Sequence, residues 1–291
     1  MKRLVGLEEE ISFLLKNFSR IQNEAFYGFP AEEIWRRGEE IGQEILVFER
    51  LPRAMNFLRQ KIKEDRFIKN GLSVMALEMT AAKGRFTRTW VASKGGLWLS
   101  LTLYDDLIPE TKGWLPIIIG FALTETVQAY GIPARQKWIN DVWINKKKLA
   151  GVLIEKNVCA GESWYLVGVG LNVNNFLPPG LPAISLKELL GEELSLLEVA
   201  AKFLLNLRKY WGLLKAYEIK LIQEESLKNP LPEIFKKFSD TIGRYVAFGE
   251  DLTAKEEGRG LVAGINHLGH LLIELPSGSQ IELFSGEIQY L

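Results

Sequence analysis

Hydrophobic positions recur at helical spacing near the start of the chain, where Leu7, Ile11, Leu14, Leu15, Phe18 and Ile21 predict a helix over residues 7–24. A second helix is predicted from Pro30, with the proline in the first turn and Glu32 and Glu33 beside the positive helix end. Both read as a helical cap on the main domain. From Ile45 to Phe48 the pattern becomes a short strand, followed by a helix through Met55, Phe57, Leu58 and Ile62. Residues 73–78 and 97–103 read as strands that bracket a loop rich in Lys, Arg, Thr and Gly. A helix over 115–130 closes at Gly131-Ile132-Pro133. Residues 138–145 and 148–155 predict an antiparallel hairpin, 164–173 a third strand, and 192–227 a long helical stretch. After Pro230 and Pro232 the chain turns to short strands over 245–248, 259–265, 271–275 and 280–284, with turns at Gly269 and Ser277-Gly278.

Strands and helices therefore mix without regular βαβ alternation, which predicts an α+β fold with a central mixed or antiparallel sheet, flanking helices and a small C-terminal β-barrel. The expected divisions are a helical extension over 1–40, a main domain over 41–237 and the small β domain over 238–291. A chain of 291 residues with 47% hydrophobic content can bury a full core. Thirty-six basic and thirty-six acidic residues balance, so no charge footprint of the whole protein favours nucleic acid or an anionic membrane. The single cysteine, Cys159, excludes an intramolecular disulfide framework and a thiol-rich zinc site, and reads as a packed residue in a reducing compartment. Met-Lys-Arg at the start runs into Glu8, Glu9 and Glu10 with no apolar signal core, so a cytoplasmic location is expected. The longest apolar run, residues 114–123, is about half of what a bilayer requires. No membrane association is expected.

Two segments carry chemistry. In Lys137-Trp-Ile-Asn140-Asp141-Val-Trp143 and Lys148-Leu-Ala-Gly151-Val-Leu-Ile-Glu155, charged groups stand in what otherwise reads as buried strand. Such groups cost several kcal/mol unless partners or a ligand satisfy them. The loop Ala82-Lys83-Gly84-Arg85-Phe86-Thr87-Arg88-Thr89-Trp90 places three cations around a glycine, where guanidiniums can grip phosphate or carboxylate oxygens. Neither a P-loop nor a complete dinucleotide fingerprint is present, since Gly168-Val-Gly170-Leu-Asn172-Val lacks the third glycine. His267 and His270 lie in a turn and read as surface residues, and no metal site is expected. Trp138 and Trp143 read as core.

The ordered set of Lys-Trp-x-Asn-Asp, Lys-x-x-Gly-x-Leu-x-Glu, Gly-x-Gly-x-Asn-x-Asn at 168–174, Gly264-Ile-Asn-x-x-Gly269 and Ser285-Gly286-Glu287-Ile288 resembles the biotin protein ligase family. The likeness runs from about Pro30 to the end. It implies a class II synthetase-like ligase domain that uses ATP and Mg2+ to adenylate biotin, then passes the acyl group to a lysine of a carrier domain such as biotin carboxyl carrier protein. By that resemblance Lys148 bridges the acid's carboxylate and the α-phosphate, Arg85 stabilises the adenylate and Arg88 holds the nucleotide phosphates. Lys83 takes the place of the family's first loop arginine, with Gly84 beside it. Asn140 and Asp141 order the site and its magnesium or phosphate contacts, Asn172 sits by the nucleotide, Trp90 covers the adenylate, and Gly151 lines the substrate site.

The chain departs from the family where the acid is recognised. Ala54-Met55-Asn56 stands for Ser-Thr-Asn, Met79 for a glutamine, and Ile139, which a strand is expected to tolerate, for a proline. An unsatisfied buried polar group costs about 1–3 kcal/mol, so losing partners for the ureido ring is expected to weaken biotin and to favour an apolar acid such as lipoate or octanoate. The alternatives to biotin ligation are thus a lipoate- or octanoate-type ligase on the same scaffold, or a catalytically weak relative. DNA binding in that family uses an N-terminal winged helix-turn-helix, which the short acidic stretch before Pro30 does not resemble, so no DNA partner is expected. A homodimer is left open.

Overall fold

The computed structural model describes residues 1–17, 25–65, 67–86, 88–224 and 228–291. Phe18 and Ile21 of the first predicted helix, Thr87 of the basic loop and the end of the 192–227 stretch lie outside the described residues. The chain opens with α1 (Val5–Asn17), a ribbon of β1 (Ala25–Phe26) and β2 (Phe29–Pro30), and α2 (Ala31–Gly38). Next come β3 (Ile45–Phe48), α3 (Ala54–Glu64), β4 (Ser73–Ala76), β5 (Leu97–Tyr104), α4 (Pro109–Lys112) and α5 (Leu115–Gln128). The strands β6 (Arg135–Lys137), β7 (Asp141–Ile144), β8 (Lys147–Cys159) and β9 (Glu162–Leu171) lead to α6 (Leu186–Leu190), α7 (Leu196–Ile222) and α8 (Leu231–Phe238). Five strands finish the chain: β10 (Tyr245–Gly249), β11 (Gly258–Ile265), β12 (Leu271–Glu274), β13 (Gln280–Leu283) and β14 (Glu287–Tyr290).

Seven strands form the main sheet in the order β3-β4-β5-β9-β8-β7-β6. Only β3 and β4, joined through α3, run parallel, and every other neighbour is antiparallel, so the expected mixed α+β sheet is present. Alternation along β5 divides its two faces. Leu97, Leu99, Leu101 and Leu103 join the large core against α5 and α7, while Ser100 pairs with Gly168, and Trp98 with Gly170, on the opposite face. Over part of that opposite face α3 lays Met55, Leu58 and Ile62 on Leu46, Val74 and Leu166. The remainder is left for the basic loop, and this division makes the site.

The hairpin β7-β8 turns at Asn145 and Lys146, whose φ values of 50° and 62° match a two-residue turn with both central residues left-handed. Ile139 stands in the turn between β6 and β7 rather than in a strand, because Arg135–Lys137 forms an additional edge strand that the sequence pattern did not reveal. The Trp138–Ile139 peptide is cis.

Both sheet edges are covered. Leu4 donates to the Val47 carbonyl at 2.7 Å, and buried Glu8 accepts the Val47 N–H at 2.8 Å while holding Arg3. At the other edge the Ser239 hydroxyl donates to the Gln136 carbonyl at 2.6 Å. Trp114 Nε1 donates to His267 O at 2.7 Å and Trp138 Nε1 to Gly269 O at 3.2 Å. These bonds seat the C-terminal strands beside β6. The expected small barrel is a five-stranded antiparallel sheet, β13-β12-β11-β10-β14, with no ladder between its outer strands among the described residues. Its last strand, Glu287–Tyr290, was not anticipated, and it forms a wall of the site. Among the described residues no helix is long and apolar enough to cross a membrane.

Candidate active site

A cavity of about 1110 Å³ opens on the face of the main sheet between α3, the basic loop and β14. Its floor is shaped by two glycines of β9. A Cβ on Gly168 would stand 2.7 Å from Met55 Sδ, and one on Gly170 would stand 2.8 Å from the Trp90 ring, so both side chains lie flat against the strand only because these positions carry no side chain. Trp90 Nε1 is buried with no hydrogen-bond partner among the described residues.

The loop over 79–92 is folded back on itself. Met79 N donates to Ala92 O at 2.9 Å, Gly84 N to Arg88 O at 2.9 Å, and Trp90 N to Ala82 O at 3.1 Å. Its arginines are anchored to the C-terminal sheet: Arg85 donates to Gly286 O at 2.6 Å, while Arg88 holds Glu287 and reaches Asp251 at 2.7 Å. The Glu287 carboxylate raises the Arg88 pKa further. Lys83 lies exposed at the rim.

Across the floor, Lys148 Nζ is 2.7 Å from Asp141 Oδ1 and 5.2 Å from the centre of the Trp90 ring. Gly151 faces this pair, and a Cβ there would sit 3.1 Å from Lys148 Nζ. Asn140 donates to the Val152 carbonyl at 2.5 Å, which fixes the turn before β7. Asn172, buried, accepts from Asn175 at 3.2 Å at the end of β9.

At the α3 end, Met55 and Met79 line the cavity together with Leu153. Ala54 and Asn56 do not line it. Ala54 is fully buried in the first helical turn, where its N–H points at Met79 Sδ at 3.3 Å, and Asn56 faces solvent and accepts from Arg59 at 2.7 Å. Two polar residues missing from the expected set reach this end. Arg53, buried to 9% exposure, sits 3.3 Å from Met55 Sδ and pairs with Glu155, while Ser100 lies on the strand opposite Gly168. Burial pushes the Glu155 carboxyl up, but Arg53 and Arg59 more than offset this and hold it below its ordinary value. Ser100 was legible as the polar position alternating with leucines in β5. Nothing local marked Arg53.

The expectation for Trp143 is corrected: it stands on the cavity wall, because Lys137 Nζ rests 4.5 Å from its ring centre. Trp138 is buried as expected, at 2% exposure. Among the described residues no cluster of three or more His, Cys, Asp or Glu side chains is placed to hold a metal. The cavity carboxylates Asp141, Asp240 and Glu287 are each engaged by a cation. The site thus combines cationic groups and an indole over a glycine floor at one end with a thioether-lined recess at the other. This arrangement can hold an anion chain beside a ring, and an acid's tail beyond it.

Residues 47–174 match the model of the biotin/lipoate A/B protein ligase family. Over 147 residues, 48% of this chain, the sequence is 33% identical to the bifunctional ligase/repressor BirA of Bacillus subtilis, covering 45% of that protein. It is 28% identical over 227 residues to BirA of Bacillus spizizenii, covering 75% of this chain and 66% of that one. The matched region therefore spans less than two thirds of either relative. A solved structure of biotin protein ligase from Aquifex aeolicus in complex with biotin and ATP superposes with a TM-score of 0.69 at 24% identity, over 85% of this chain and 98% of that one. That likeness establishes the fold.

Proposed function

We propose that this chain, whose residues 47–174 match the biotin/lipoate A/B protein ligase family, is an ATP-dependent ligase that adenylates biotin and transfers the acyl group to a lysine of a carrier domain. The observation that carries this is the Lys148 ammonium, 5.2 Å from the Trp90 ring and facing Gly151, between the recess and the basic loop. A carboxylate oxygen of the acid attacks the α-phosphorus, the bond to the bridging oxygen breaks, and pyrophosphate leaves with its electron pair. Three anionic groups meet in that step, so the protein's part is placement and cationic stabilisation. Lys148 lies where carboxylate and α-phosphate would meet, Trp90 offers a face to the adenylate, and Asn172 bounds the nucleotide end. Arg85 and Arg88 stand on the loop side, already oriented by Gly286 and Glu287. Magnesium would enter with the nucleotide, since the protein carboxylates in the cavity are committed to cations.

The recess bears on which acid is used. Ala54, Met55 and Met79 supply no hydrogen-bonding hydroxyl or amide, yet Arg53 offers guanidinium donors and Ser100 a hydroxyl at the same end. A ureido ring presents a carbonyl acceptor that the Arg53 N–H groups not taken by Glu155 suit and N–H groups that an oxygen acceptor suits, whereas an alkyl chain offers neither Arg53 nor Ser100 a polar partner. Calorimetric titration with biotin, lipoate and octanoate is the test. Biotin is expected to bind at least about tenfold tighter than octanoate, and Arg53→Met is expected to weaken biotin by about 10–100-fold. Octanoate binding as tightly as biotin, unchanged by Arg53→Met, would overturn the assignment of the acid.

A further inference from the structure

The cations around the cavity are neutralised almost one by one. Arg53 has Glu155, Arg88 has Glu287 and Asp251, Lys148 has Asp141, and Arg244 has Asp240 at 2.6 Å. Lys83 and Lys146 stand in water. Lys137 differs from both groups. Its half-buried ammonium lines the cavity yet makes no hydrogen bond or ion pair with a described residue, and it rests between the rings of Trp143 at 4.5 Å and Tyr290 at 5.6 Å. Burial lowers its pKa, with Asp141 and Glu287 acting against that at longer range.

Aromatic faces attract a cation, but they supply none of the three acceptors an ammonium ordinarily bonds in water. The ring that closes this corner is held from the C-terminal side. Tyr290 OH lies 2.8 Å from Thr241 Oγ1 and 3.3 Å from Asp240 Oδ1, and the Arg244 guanidinium lies 5.3 Å from the ring centre. Lys137 is thus a positioned, uncompensated charge facing the same space as Lys148. Among the described residues no carboxylate lies within ion-pair distance of it, and its near neighbours are the rings of Trp143 and Tyr290.

We propose that Lys137, seated by Trp143 and Tyr290, forms an anion subsite that takes inorganic pyrophosphate, the group expelled when the acid is adenylated. That the anion is a leaving group rests on the ligase assignment, whereas the existence of the subsite rests on the unpaired ammonium alone. A multiply charged anion satisfies all three N–H donors at once, and charge-assisted bonds of this kind are about twice as strong as neutral ones. In the reaction, Lys137 stabilises charge that grows on the β-phosphate as the bridging P–O bond breaks, while Lys148 remains at the α-phosphate.

The test is calorimetric titration of the full chain with inorganic pyrophosphate, in the absence of ATP and acid. Lys137→Met and Lys137→Gln are compared with wild type, with Lys137→Arg, and with Lys63→Met, which removes an exposed charge elsewhere on the chain. Thermal melts verify folding. Wild type, K137R and K63M are expected to bind, with both neutral variants weakened by about tenfold or more. A wild type that does not bind millimolar pyrophosphate, or folded neutral variants that bind as wild type does, would overturn the subsite. Because no adenylation is read, a protein that binds pyrophosphate through Lys137 but activates no acid would contradict the ligase assignment and leave the subsite standing.

Discussion

Lys148→Ala is expected to lower acyl-adenylate formation by about 10²–10³-fold, the scale seen when a single group that stabilises developing charge is removed. The expectation follows from where the ammonium is held. Lys148 comes from β8 just past the hairpin turn, its pairing with Asp141 brings it back over Gly151, and the Trp90 ring lies beside it. Among the described residues no other cation is within ion-pair distance of Asp141, and Lys137 lies against different rings. The variant leaves Asp141 in a partly hydrated position next to Trp143 Nε1 at 3.4 Å, so the stability cost is expected to stay within about 1 kcal/mol. Lys148→Arg is expected to fail as well, because the side chain packs so closely over Gly151 that an added Cβ there would stand 3.0 Å from Lys148 Cε, which leaves little room for the broader planar guanidinium. Pyrophosphate release and a melting curve on each variant provide the check. An alanine variant with wild-type release would remove Lys148 from the chemistry.

Gly170→Val is the second substitution with a large expected effect. The strand tolerates a β-branched residue in its backbone, but the new side chain would occupy space filled by Trp90, whose Nε1 lies 2.9 Å from the position of a Cβ. The indole must leave the floor, which removes both the ring beside Lys148 and the surface on which an adenine or adenylate can stack. Stacking of a base on an aromatic side chain is worth about 1–3 kcal/mol, so the KM for ATP is expected to rise by about 10–100-fold. Trp90→Ala should reproduce the rise in KM without the strain in β9. An unchanged KM in both variants would place the nucleotide elsewhere.

How far the sequence revealed this arrangement can be seen at single residues. The basic loop, the Lys148 segment and Gly168 to Asn172 were visible because charge and glycine interrupt otherwise apolar strands, and the fold brings them to one cavity. The long apolar helix and the antiparallel strands followed from simple periodicity. The C-terminal wall was not visible. Glu287 and Tyr290 reach the site only because the Ser239 and Trp138 bonds dock the last sheet beside β6, a contact between segments about a hundred residues apart. Arg53 was missed for a related reason. Its neighbours Ala54 and Met55 looked like a loss of polar recognition, and only the packing of α3 on the sheet shows the guanidinium entering the recess that Met55 lines. Trp143 read as core because an indole in an alternating strand usually is, and the Lys137 ammonium on its face is a tertiary contact.

One reaction tests the ligase activity most directly. The purified chain is mixed with ATP, magnesium and biotin, and the products are analysed by mass spectrometry. The predicted result is biotinyl-adenylate retained by the protein together with an equal amount of pyrophosphate, and neither product when biotin is omitted. Intact ATP and unmodified biotin after prolonged incubation, with a chain shown to be folded, would contradict it.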